Sequence, residues 1–286
     1  MNGCAFSFNG SNSWVILSPI EQSIKNKIES AGTPLRNWDI NIYRGVLTGY
    51  NDAFIIDKAK REEILANCKT EDEYRRTTEL IRPILRGRDI KRYGYDWAEL
   101  WLINTHNGVK GKYPPVDISD YPAVKQHLDL YWDKIKKRDD KGVTPYNLRN
   151  CAYMDDFNKP KILWKRVGSI LRFSYDNTGK FGLDSTCFAT GNGIAYLCCV
   201  LNSPMGHFLL KDAPKTGTGD LLISVQAVEP IKIPKIDDDF IYATYLQRYI
   251  NGDRYVENDI NRQIYALYNL TDKEIEYLEN REKLLT

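Results

Sequence analysis

The sequence predicts an α+β fold, a mixed-sheet body followed by a helical C-terminal tail. Three observations lead there. Strand-like apolar runs and helix-periodic stretches interleave over residues 1–235 without a repeating βαβ rhythm. Residues 236–286 carry helix signals, with 11 acidic against 6 basic residues, a net of −5 that leaves +7 for the rest. A length of 286 residues with 42% hydrophobic and 27% charged content suffices for a sizeable core. We therefore read residues 1–235 as the body and 236–286 as an acidic helical segment.

Residues 14–17 (WVIL) read as a short strand. Ser18, Pro19 and Glu21 then form a capping box with proline at the first helical position, and Ile20, Ile24 and Ile28 give that helix an apolar stripe. AGTP at 31–34 stops it. Residues 40–43 and 53–56 look like strands on either side of a glycine-bounded turn at 45–49. Thr70 and Glu73 open a helix that must end before Pro83. Residues 100–103 read as a strand and 104–115 as a loop. Pro122 starts the strongest helix, with Val124, Leu128, Tyr131 and Ile135 on one face. Strands are expected at 162–165, 170–173 and 186–189. A GNG turn at 191–193 leads into helices at 194–202 and 206–211. EPIKIP at 229–234 is extended, and Leu270, Thr271, Glu274 and Ile275 supply a cap and a staple for the last helix.

Several chemistries find no support. GxxxxGK[ST] and a strand–GxGxxG–helix arrangement do not occur, so the GVLTG segment is no P-loop and the GNG is a turn. His106, His127 and His207 share no ligand spacing, no GxSxG elbow is present, and Asp237, Asp238 and Asp239 read as a solvated linker. The six cysteines form no CxxC pair, which fits buried thiols in a reducing cytoplasm. No apolar run approaches the roughly 18–20 residues of a membrane span. The N-terminus lacks the basic-then-apolar order of a signal peptide.

What remains is charge. Arg82, Arg86, Arg88, Lys91 and Arg92 crowd IRPILRGRDIKRY (81–93) against the single acid Asp89. Forked arginine donors suit phosphates or guanine edges, and Lys165, Arg166 and the 134–138 run could extend the patch. Thr48 and Asn51 can donate to a phosphate or a base edge, or hold their own turn. The competing structural readings are that 86–92 pairs with acids such as Asp89, and that 134–138 is a solvated helix face.

An ordered set of landmarks adds to this: WDINIYRGVLTGYNDAFIID (38–57), IRPILRGRDIKRY, YPAVKQHL (121–128), TPYNLRNCAY (144–153), KPKILWKRV (159–167), YLCCVLNSP (196–204), EPIKIP and INRQIYALYNLTDKEI (260–275). From about residue 14 to the C-terminus the chain resembles the TaqI-like C-terminal specificity domain. This is the target recognition domain of adenine-N6 DNA methyltransferases and type IIG restriction-modification enzymes. The resemblance implies a module that holds double-stranded DNA against a methyltransferase domain, in the same polypeptide or a separate subunit. S-adenosylmethionine would bind in that domain and no cofactor in this chain. The [NDS]PP[YFW] tetrapeptide that orients a flipped adenine does not occur here, so no catalytic residue is assigned. Arg86, Arg88, Arg92, Lys165 and Arg166, with Thr48 and Asn51, are the candidate DNA contacts. The alternatives are a separate specificity subunit, a protein-interaction domain using the same basic patch, or an autonomous enzyme.

Overall fold

Local signals set most helix starts in the computed structural model, which describes residues 17–283. The strand expected at 14–17 lies outside these apart from Leu17. Helix α1 (Pro19–Ala31) opens with the expected box: Glu21 N donates to Ser18 Oγ at 3.3 Å and Ser18 N to Glu21 Oε2 at 3.1 Å. Strands β1 (Thr33–Pro34) and β2 (Ile40–Arg44) follow. The strand expected at 53–56 is instead a helical turn, α2 (Asn51–Phe54), feeding a short β3 (Ile55–Asp57). Asp57 caps α3 (Lys58–Ala66), and Thr70 caps α4 (Glu71–Leu80) by accepting from Glu73 N at 3.1 Å. The Glu73 carboxylate reaches past the cap to Lys69 N and across to Ala123 N, at 2.9 and 3.0 Å.

Strands β4 (Ile81–Leu85) and β5 (Leu100–Ile103) come next. The long helix expected from Pro122 breaks at Leu130 and Tyr131 into α5 (Pro122–Asp129) and α6 (Trp132–Ile135), yet Val124, Leu128 and Ile135 of its stripe are buried as expected. Then follow β6 (Lys161–Lys165), β7 (Val167–Gly168), β8 (Phe173–Asp176), β9 (Phe181–Gly182) and β10 (Thr186–Gly191). The strand expected at 170–173 thus begins three residues late. Helices α7 (Ile194–Asn202) and α8 (Pro204–Leu209), strand β11 (Leu221–Leu222), α9 (Val225–Val228) and β12 (Lys232–Ile233) complete the body. The tail is α10 (Phe240–Ile250), α11 (Val256–Leu267) and α12 (Asp272–Lys283).

Two four-stranded sheets carry the fold. One is antiparallel in the order β2-β10-β6-β8; the other, β3-β5-β4-β9, is mixed because β4 and β9 run parallel. The segment after β2, expected as a turn between two strands, does lie between strands, but these belong to different sheets. It is the passage from one sheet to the other. Val46 pairs with Leu183, and a Cβ on Gly45 would sit 2.0 Å from the Leu183 carbonyl oxygen, so only glycine fits that crossing.

Alternate residues of β6 and β10 enter two different cores. Ile162, Trp164, Cys187 and Ala189 pack with α1, α7, α8 and the tail, whereas Leu163 and Phe188 pack with the second sheet and α2–α5. Burial on both faces explains why the ILW run lacks alternation; each such side chain contributes about 1.5–3 kcal/mol. The tail helices bury Leu246, Val256, Ile260, Ile264 and Leu278 in the first core. No helix among the described residues is long and apolar enough to cross a membrane.

Candidate nucleic-acid interface

The ends of three neighbouring strands place cations together. Across β10, Arg44 of β2 registers with Cys187 and Lys165 of β6 with Thr186. Ser185, just before β10, ties in the arginine-rich segment: Gly87 N donates to its Oγ, and Arg166 N donates to its carbonyl, both at 3.0 Å. Gly87 permits this approach, since a Cβ there would come within 2.9 Å of Lys165 Cγ. Arg88 and Lys165 are exposed and Arg166 half-buried. None of the three side chains has a hydrogen-bond or ion-pair partner among the described residues. Arg44, which the sequence reading passed over although it lies within the 38–57 landmark, joins them; its side chain is 43% exposed and its guanidinium leans on Asp184 at 3.6 Å.

The other candidates are engaged elsewhere. Arg86 folds back onto Asp89 as a bidentate pair at 2.8 and 3.0 Å, and that carboxylate raises the guanidinium pKa against the effect of burial. Arg92 lies between Glu257 of α11 (2.5 Å) and Glu282 of α12 (3.1 Å), clamping the tail to the body. Thr48 is buried; its hydroxyl donates to Asn51 Oδ1 at 2.6 Å and accepts from Tyr50 N at 3.2 Å, while the Asn51 residue is exposed. Arg138, read from sequence as a patch extension or a solvated face, is neither: it is 6% exposed and donates to the carbonyls of Thr48, Asp140, Pro145 and Asn147. Burial lowers its pKa to about 10, against the opposing charge of Asp140.

Other readings also changed. Asp239 is not simply part of a solvated linker, because its carboxylate accepts from Ala195 N at 3.2 Å and occupies the N-terminus of α7. A buried pair that sequence gave no hint of, Lys161–Asp176, lies at 2.5 Å with both side chains fully buried. The histidines stay apart: His127 Nε2 meets the Ala53 carbonyl, His106 Nδ1 accepts from Gly108 N, and His207 lies 3.3 Å from Glu282, its pKa lowered to about 4 by burial and Arg92.

Comparison with known proteins sharpens this picture. No curated protein matches the chain. Among solved structures, the type IIL restriction-modification enzyme MmeI, in complex with DNA, superposes with a TM-score of 0.59 over 89% of this chain, at 11% identity. This likeness is one of fold. The type IIG restriction endonuclease BpuSI covers 88% of this chain at 12% identity, with a TM-score of 0.44. The chain spans 37% and 33% of those proteins' lengths. The profile of the TaqI-like C-terminal specificity domain matches residues 82–231. It takes in Arg88, Lys165 and Arg166 but leaves the 38–57 and 260–275 landmarks outside. With just over half its length matched, the chain belongs to the TaqI-like C-terminal specificity domain family.

Proposed function

We propose that the chain is the DNA-recognition module of an adenine-N6 methylating restriction-modification enzyme, and that Arg88, Lys165 and Arg166, with Arg44, hold the phosphates of duplex DNA. The observation that carries this reading is the gathering, at one end of a buried sheet, of Arg88, Lys165 and Arg166, which have no carboxylate partner among the described residues, on a family fold named for specificity. A cation already neutralised by a carboxylate has little to offer a phosphate; among the described residues these three meet none.

The methyl-transfer chemistry belongs in this reading to a separate catalytic domain, which binds S-adenosylmethionine and works against this module. What supports leaving the cofactor there is the GNG turn, the one glycine-rich helix opening that the sequence reading weighed as a nucleotide site: the Asp239 carboxylate takes its helix N-terminus, and Asp39, Asp237 and Asp238 line the hollow beside it. The described cysteines, free thiols at Cys68, Cys151, Cys187, Cys198 and Cys199, support a reducing cytoplasm.

The test is duplex-DNA binding of the full chain by fluorescence anisotropy between about 50 and 200 mM salt. With three to four phosphate contacts, log affinity should fall against log salt with a slope of about −3. The triple variant Arg88→Ala/Lys165→Ala/Arg166→Ala should lose most of that slope. No binding at the lowest salt, or a slope unmoved in the triple variant, overturns the reading.

A further inference from the structure

The strand that carries Lys165 does not stop at the cation cluster. After Arg166 it continues as β7, which pairs with β11 through Val167–Leu222 and Gly168–Leu221. Ile223 N donates to Arg166 O at 2.8 Å, and the Lys165 ammonium lies over Gly168, 3.6 Å from where its Cβ would be. The segment before β11 folds back on itself: Lys215 bridges Leu221, Leu222 N donates to Pro214 O at 2.7 Å, and Thr216 N to Asp220 O at 2.8 Å. A narrow hairpin, residues 215–220 with sequence KTGTGD, therefore projects beside the cations.

We propose that this hairpin tip reads base edges in the major groove of duplex DNA while Arg88, Lys165 and Arg166 hold the backbone; the inference rests on the DNA-binding reading above. Charge argues for bases rather than phosphates. Lys215 and Asp220 cancel at the base of the hairpin, and the TGTG between them has no charge, so it adds no charge to the backbone grip. It does carry two hydroxyls. Thr216 Oγ1 and Thr218 Oγ1 pair with each other at 2.8 Å, and Thr218 leans on Asp220 Oδ2 at 3.4 Å. Among the described residues these hydroxyls bond to no other part of the structure, and they can exchange these contacts for base donors or acceptors. A threonine methyl can also pack on a thymine methyl, and a two-stranded ribbon fits the roughly 12 Å major groove.

Gly217 gives the second argument. Its φ is not in the left-handed region, and a Cβ added there would meet nothing within 4 Å. Among the described residues nothing crowds this position, and its φ does not itself demand glycine. The missing side chain leaves the tip backbone open to close approach by another surface.

The experiment selects tight-binding duplexes from a randomised pool with the full chain, then measures variants on the selected duplex and on a scrambled one. Gly217→Ala, Thr216→Val and Thr218→Val should leave the melting temperature unchanged. Each should weaken the selected duplex about 5- to 100-fold, with little change on the scrambled one. Arg88→Ala and Lys165→Ala should weaken both alike. If the tip variants bind the selected duplex as well as wild type, or weaken both duplexes equally while the cation variants behave as expected, the tip is not the reader. If wild type binds neither duplex, or the cation variants bind as tightly as wild type, the DNA-binding reading itself fails.

Discussion

Arg88 and Arg92 stand four residues apart in one basic segment and serve opposite ends. Arg88 projects from a turn that Ser185 and Lys165 support, and no carboxylate answers it among the described residues. Arg92 meets two carboxylates, Glu257 and Glu282, delivered by helices more than 160 residues later. The difference teaches that a basic cluster in sequence is a reservoir from which the fold consumes some members as struts. In the function proposed above, DNA contact falls to those it leaves unspent. Arg86, bound to Asp89, and Arg138, buried among four carbonyls, belong with Arg92.

Substitutions that separate struts from free cations put this contrast to the test, and stability is the yardstick. The largest loss should come from Lys161→Met, which leaves Asp176 charged, buried and without its cation. About 3–5 kcal/mol is expected, read as a shift in the denaturant midpoint. Arg92→Ala should cost about 2–3 kcal/mol, because two acids would be left facing each other at the tail junction. Limited proteolysis should then cut first between body and tail. If Arg92→Ala proves as stable as wild type, the strut assignment is wrong.

A pH-dependent effect of similar size comes from Glu274, which ties the tail to α1. Burial raises its pKa, but Lys27, the Thr271 backbone, Ser23 and the Thr271 hydroxyl outweigh it and hold the carboxyl at about 2, against an ordinary 4.5. A value lowered on folding contributes stability above pH 4.5, and that contribution disappears as pH falls from 4.5 through about 2. Urea titrations at stepped pH should show that slope reduced in Glu274→Gln. The smallest effect on stability, under about 0.5 kcal/mol, belongs to Arg88→Ala. Its signature lies in DNA binding, where the salt slope should shrink by about 1. A destabilised Arg88→Ala would mean that the two arginines are alike after all.

Much of the local structure was legible. Ser18 and Thr70 named their helices, the Pro122 stripe named its buried face, and the β6 and β10 runs were recognisable as strands. Errors fell where a local signal served a distant contact. The glycines at 45 and 49 read as a tight turn, giving no sign that they cross between sheets, because a turn and a crossing need the same permissive residue. Leu130 and Tyr131 broke a helix that periodicity alone would continue. The Glu73 carboxylate found Ala123 N instead of closing its own box.

By itself the sequence determined the α+β class, the helix caps, the buried stripes and a basic segment within a recognisable order of landmarks, because these depend on neighbours within a few residues. Only the tertiary structure decided which cations remain free, which acids neutralise the rest, and that Lys165, Arg166 and the 215–220 hairpin share one edge. Charge pairing depends on distance in space, and Arg92 finds its partners 165 and 190 residues away along the chain.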